Sequence, residues 1–167
     1  RGAGPFSNSG LTTATFEPGT TRVARYLFSN ASNLQSVTLQ DTITEIGEYA
    51  FQRCTSMQNI DIPSSVTLID LGAFYGCTNL QAIDIPDSVT VIGYSAFANC
   101  VSMESIIIPN SVIEVKAGAF SGCTSLSSVK LSANLETLES NAFYGCSSLK
   151  EIYIPKSLEK VTGDGRG

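Results

Sequence analysis

The stretch IGEYAFQRCTSMQNIDIPSSV, residues 46–66, decides how the whole chain is read, because it returns with small changes on both sides of itself. Phe51 is matched 23 positions away by Phe28 and Phe74, and the series continues through Phe97, Phe120 and Phe143. Cys54, Cys77, Cys100, Cys123 and Cys146 keep the same step. Aligned on these anchors the unit reads I-G-x-x-A-F-x-x-C-x-x-L-x-x-I-x-I-P-x-S-V-x-x, with six consecutive copies over residues 23–160. Its leucine position holds Leu34, Met57, Leu80, Met103, Leu126 and Leu149. The pairs Val37/Leu39, Ile60/Ile62, Ile83/Ile85, Ile106/Ile108, Val129/Leu131 and Ile152/Ile154 follow. Residues 1–22 read as a degenerate copy one residue short, with Phe6, Leu11, Ala14 and Phe16 in the core roles, and residues 161–167 as a truncated tail.

A fixed period of this length marks a solenoid, in which each unit is too small to bury its own apolar side and must stack on its neighbours. Residues 1–167 are therefore expected to form a single domain. The L-x-x-I-x-I run alternates with period two and is rich in β-branched residues, which predicts a short strand beside the same strand of the next coil, in a parallel sheet. Pro63, Pro86, Pro109 and Pro155 lack an N–H and fit where the chain leaves that ladder. On the opposite wall the small Ala50, Ala73, Ala96, Ala119 and Ala142 permit close approach, and the phenylalanine rings fill the interior.

The motifs IGEYAFQRC, GAFYGC, YSAFANC, GAFSGC and NAFYGC, with IPSSV, IPDSV and IPNSV between them, resemble the Treponema-type or BspA-like leucine-rich repeats of bacterial and protist surface proteins. The resemblance covers nearly the whole chain. It implies an α/β leucine-rich-repeat solenoid, right-handed and curved, with a parallel sheet on the concave face and short helical or irregular turns on the convex face. It also implies an extracellular adhesion or protein-interaction role, although a fold does not fix a function. The chain departs from the pattern at Leu27, Ala31, Gln40, Ser132 and Asn134, which replace Ala, Cys, Pro, Pro and Ser. The fold should tolerate these changes.

Composition narrows the classes further. With 43% hydrophobic and 15% charged residues in 167, the chain has the makings of a sizeable core. A formal charge of −5 repels phosphate backbones, so nucleic acid is a poor partner. No apolar run approaches the roughly 18 residues that span a bilayer, so no membrane insertion is expected. The start, RGAGPFSNSG, has no signal-peptide core. Because the chain begins and stops partway through a repeat, it is read as a piece of a larger extracellular or cell-surface protein. The sequon Asn30-Ala31-Ser32 would matter only in a eukaryotic secretory pathway.

The cysteines would run up the solenoid as a ladder of one thiol per coil, with parallel side chains unsuited to bridging. They are expected to be buried, reduced and slow to react. A line of single ligands cannot form a tetrahedron, and histidine is absent, so neither metal nor cofactor is expected. The tail GDGRG, residues 163–167, is similar to part of a dockerin-like calcium loop but lacks the remaining ligands. Without histidine, the usual base for Ser or Cys nucleophiles is missing. Ser127-to-Lys130, Ser147-to-Lys150 and Ser157-to-Lys160 match Ser-x-x-Lys, but that motif needs a helical turn to bring lysine beside serine. The chain is read as a non-enzyme.

Function is expected on the strand face, where residues between the core positions vary from copy to copy. One row reads Thr38, Asp61, Asp84, Ile107, Lys130, Tyr153; its neighbour reads Ser36, Asn59, Ala82, Ser105, Ser128, Glu151. Asp61 and Asp84 would oppose one another across adjacent strands, a repulsive pair that a cation or a partner's basic group would relieve. Ile107, Lys130 and Tyr153 combine an aliphatic, a cation and an aromatic, the residue kinds that anchor interfaces. The candidate ligand-binding set is Asn59, Asp61, Asp84, Ile107, Lys130, Glu151 and Tyr153, and the expected partner is a protein or a glycan. Tyr75 and Tyr144, just after the phenylalanines, offer a competing convex surface. A spacer between domains, or an accessory region of a surface enzyme, are the other readings.

Overall fold

The structure, a computed structural model, describes residues 2–162 as about seven turns of a parallel β-solenoid. The strands are β1 (Thr13–Thr15), β2 (Arg22–Val23), β3 (Ser36–Thr38), β4 (Glu45–Ile46), β5 (Leu68–Ile69), β6 (Val91–Ile92), β7 (Ser105–Ile107), β8 (Glu114–Val115), β9 (Ser128–Lys130), β10 (Thr137–Glu139) and β11 (Lys160–Thr162). Every pairing is parallel and joins residues 23 apart, such as Ile46 with Ile69 and Val115 with Leu138. The sequence period is thus the register of the sheet. At the N-terminal end β1 pairs with β3 at the full step, Thr13 with Ser36, whereas the left-handed residues Asn8 (φ 52°) and Asn30 (φ 61°) hold the same place in their coils only 22 positions apart. The residue missing from the first copy therefore falls between Asn8 and Thr13.

Two expectations are corrected. The first concerns helices: the described residues contain none, so the α/β description is not met, and of the helical or irregular turns expected it is irregular ones that form. The wall carrying Ala-Phe is a run of tight turns in which alternate amides have different partners. Ala50, Gln52 and Cys54 donate three residues back, to Gly47, Tyr49 and Phe51, while Tyr49, Phe51 and Arg53 donate to Leu71, Ala73 and Tyr75 of the next coil. Tyr49 and Arg53 have φ of 53° and 55°, and residues at both positions are left-handed in every neighbouring coil. A left-handed residue every fourth position ends any right-handed helix before it can grow. The same requirement explains glycine at residues such as Gly122 (φ 74°), where an added Cβ would also sit 2.3 Å from Asn99 Oδ1.

The second correction concerns the sheet. The continuous seven-stranded ladder, β11-β10-β8-β6-β5-β4-β2, lies on the stretch between Pro and Gly rather than on L-x-x-I-x-I. There the pairs Ile43/Ile46, Val66/Ile69, Val89/Ile92 and Val112/Val115 are wholly buried. On the L-x-x-I-x-I face only β1 pairs with β3 and β7 with β9. Side chains there still alternate, with Ile60, Ile83, Ile106 and Val129 buried and their neighbours exposed. Like charges opposed across strands resist pairing, and the junction between Asp61 and Asp84 lacks the ladder. The junctions Thr38–Asp61, Asp84–Ile107 and Lys130–Tyr153 lack it as well, and like charge does not account for those.

The core is one contiguous cluster along the axis. Phe28, Phe51, Phe74, Phe97, Phe120 and Phe143 stack with centroids 5.3–5.4 Å apart and planes within 13°, inside the range favoured by offset aromatic pairs. Phe6 extends the stack at 5.6 Å from Phe28, and Phe16 meets Phe28 edge-on. The stack is fully buried from Phe51 to Phe120, but Phe143 is half-buried. Ile154, assigned to the core above, is 58% exposed, because no described coil covers the last copy. Of the departures from the pattern, Ala31 and Ser132 are buried, Gln40 donates to Phe16 O and Asn134 to Asn110 O.

The turn after L-x-x-I-x-I is closed by the Val66 N–H donating to Pro63 O, repeated at Val89/Pro86 and Val112/Pro109. The serine before the valine ties coils together: Ser65 donates to Ile43 O at 2.6 Å and Ser88 to Val66 O at 2.5 Å. Ser111, in the same column, has a buried hydroxyl with no partner among the described residues. Removing a bonded hydroxyl leaves its carbonyl short of a donor, whereas removing an unbonded one takes away only a desolvation cost. Ser88→Ala is therefore expected to lower the unfolding free energy by about 1 kcal/mol and Ser111→Ala to leave it unchanged or raise it, as chemical denaturation of the two variants will read.

Candidate binding surface

Alternation on the L-x-x-I-x-I face turns Asn59, Asp61, Asp84, Ile107, Lys130, Glu151 and Tyr153 outward, and all seven are exposed. They do not form one site. Lys130, Glu151 and Tyr153 share a groove of about 630 Å³ with Leu131, Ile154 and Pro155. Lys130 also closes a smaller depression of about 260 Å³, which it lines with Asp84, Asp87, Ile107, Pro109 and Asn110. Asn59 belongs to a third hollow nearer the N-terminus, and Asp61 lines none of the three. Lys130 thus stands between two depressions, with no carboxylate in salt-bridge range among the described residues. Ile107 is 63% and Tyr153 84% exposed.

Ile154 was missed as a lining residue because its place in the pair Ile152/Ile154 assigned it to the core, and Asp87 and Asn110 were missed because they sit past the proline turn, outside the alternating rows. Their signal was available in the position after each proline, which reads Ser64, Asp87, Asn110 and Lys156. Of the two tyrosines beside the phenylalanine stack, Tyr144 is exposed and Tyr75 half-buried, on the wall of turns. Tyr26 and Tyr49 stack there at 5.2 Å.

All five cysteines are unbridged and buried. Each thiol donates to the carbonyl of a phenylalanine 26 residues earlier, from Cys54 to Phe28 O at 3.2 Å through Cys146 to Phe120 O at 3.2 Å. Burial pushes the thiols of Cys54 and Cys123 up to about 12 and raises those of Cys77, Cys100 and Cys146. They are far from the thiolate character that nucleophiles and metal ligands need.

The remaining polar groups are tied into the scaffold. Ser127 donates to Glu104 O, Ser147 to Thr124 O and Ser157 to Ala133 O and Leu135 O, so none of the three serine hydroxyls of the Ser-x-x-Lys matches meets its lysine. Lys116 reaches Glu114 at 2.5 Å and Glu139 at 3.3 Å and lies 5.6 Å from the Tyr94 ring centre. The hydrogen bond to Glu114 holds its ammonium above the usual lysine range. Among the described residues no three Cys, Asp or Glu side chains gather as a metal site, and no helix is long and apolar enough to cross a membrane. The calcium-loop likeness at residues 163–167 lies outside the described residues.

Stacked turns of one repeated sequence, parallel strands in register and a shared apolar axis define a leucine-rich-repeat solenoid. The family model of the BspA type leucine rich repeat region matches residues 2–113 and 44–164, and the chain belongs to that family. A leucine-rich-repeat protein from T. pallidum is 33% identical with a TM-score of 0.83, covering 90% of this chain and 72% of its own. One from Bacteroides ovatus is 25% identical with a TM-score of 0.78, covering 92% of this chain and 48% of its own. A leucine rich cell surface protein from Faecalibacterium prausnitzii is 31% identical with a TM-score of 0.55, covering 90% and 49%. This chain thus spans about half the length of the B. ovatus and F. prausnitzii proteins. A search of the curated proteins finds no match.

Proposed function

We propose that this chain is a non-enzymatic binding module at a bacterial cell surface, and that it grips an extended segment of a partner protein through the groove around Lys130. The observation that carries this reading is the arrangement of Lys130, with no carboxylate in salt-bridge range among the described residues, between exposed Ile107 on one side and Tyr153 and Ile154 on the other. Exposed aromatic and aliphatic groups around a cation favour a segment with an acidic residue beside an apolar one. Asp84 and Asp87 at one end of the groove and Glu151 at the other favour basic residues flanking it. The surface location draws on the F. prausnitzii relative's description as a cell surface protein.

Selection of a random-peptide phage library on the wild-type chain, with counter-selection on Lys130→Ala/Tyr153→Ala, tests the assignment. Enriched peptides should carry the acidic–apolar pattern and bind the double variant at least tenfold more weakly, while both proteins melt alike. Failure to enrich any sequence over the counter-selection would favour a spacer, whose surface residues can be removed without consequence.

A further inference from the structure

The hollow that holds Asn59 differs in chemistry from the Lys130 groove. It has a volume of about 380 Å³ and is lined by Gln35, Ser56, Gln58, Asn59 and Asn79, without a charged residue or an aromatic one. The side chains come from three successive coils, and Gln35 and Gln58 belong to a column of exposed glutamines that Gln81 continues, one per 23 residues. Several amides elsewhere serve the scaffold, with Asn33 donating to Ser9 O, Gln40 to Phe16 O and Asn134 to Asn110 O, while those of Asn8, Asn99 and Asn141 stand singly without a bond to any described residue. Those of Gln35, Gln58, Asn59, Asn79 and Gln81 make no hydrogen bond to any described residue.

We propose that this hollow is a separate binding site for a neutral, extended, β-linked glycan lying along the solenoid axis. A primary amide carries two donors and an acceptor on one plane, which matches the paired donor and acceptor of adjacent sugar hydroxyls. Uncharged ligands suit a lining without ions, since a charged sugar would be desolvated here without a counter-charge. The spacing matches too. Phenylalanine rings of successive coils stand 5.3–5.4 Å apart, and one pyranose of an extended β-linked chain advances by a similar length. Each coil then offers a glutamine to one sugar, with Asn59 and Asn79 on the flanks. Several such contacts in register reinforce one another without any single strong bond.

Affinity electrophoresis and calorimetry of the whole chain against cellohexaose and β-mannohexaose, with polygalacturonate as an anionic comparison, test this. The neutral oligosaccharides should bind, polygalacturonate should not, and Gln58→Ala/Asn59→Ala should weaken binding at least tenfold with an unchanged melting curve. Lys130→Ala/Tyr153→Ala should leave glycan binding intact, which separates this site from the peptide groove. Absence of binding to both neutral probes at millimolar concentration would overturn the proposal. So would equal binding of polygalacturonate, or neutral binding that survives the amide substitutions.

Discussion

Replacing Phe97 by alanine is expected to lower the unfolding free energy by about 3–5 kcal/mol, the range for truncating a fully buried aromatic that leaves a cavity. Phe97 lies between Phe74 and Phe120 at 5.4 Å from each, with no exposed surface, so both neighbours lose a packing partner. The coil cannot collapse to fill the gap, because its strands are held in register on one side and its turns on the other. Phe143→Ala should cost clearly less, since that ring is half-buried and has only Phe120 as a stacked partner among the described residues. Asp84→Ala, on the exposed face, should stay within about 0.5 kcal/mol. Urea denaturation of the three variants makes the comparison. Equal, small shifts for Phe97 and Asp84 would contradict the stacked core.

Alkaline solution is expected to unfold this protein steeply, because of the cysteine ladder. In the unfolded chain the thiols ionise near 9.0, while burial pushes those of Cys54 and Cys123 up to about 12 and holds those of Cys77, Cys100 and Cys146 above their ordinary value. Below pH 9 both states keep the proton and the thiols add no pH dependence. Above it the unfolded state releases protons that the folded state retains, so stability falls as pH rises towards 12, by about 1.4 kcal/mol per pH unit for each thiol. Cys54 and Cys123 contribute across this window, and Cys77, Cys100 and Cys146 add to the fall in the same direction. Denaturation midpoints at about pH 8 and about pH 10 will show the fall, and Cys54→Ala/Cys123→Ala should make it clearly shallower. A chromogenic disulfide reagent should find five reactive thiols in the unfolded protein and almost none in the native one. Full reaction of the native protein would refute the buried ladder.

The recurrence of Phe51 and Cys54 every 23 residues was enough to place six rings and five thiols in register, because a solenoid repeats its geometry with its sequence. Period-two alternation likewise told which residues of each L-x-x-I-x-I run point outward, from Asn59 to Tyr153. Backbone pairing was less legible. A residue's face follows from its own neighbours in the chain, whereas a ladder needs the next coil at the right distance and without a like charge opposite. For that reason Ile60 and Ile83 are buried as their pattern demands, yet their coils lack the ladder that forms at Ile46 and Ile69. The resemblance left helical or irregular turns open, and the left-handed residues at positions such as Tyr49 and Arg53 make them irregular.

By itself, then, the amino-acid order determined the repeat, the coil register, the composition of the interior and the set of variable outward residues, all of which are one-dimensional properties of a periodic chain. Only the tertiary structure decided which wall carries the continuous sheet, and that Lys130 joins two depressions while Asn59 shares a hollow with Gln35, Gln58 and Asn79. Grooves form between side chains of different coils. Their shape depends on separations and turn conformations that no single copy encodes.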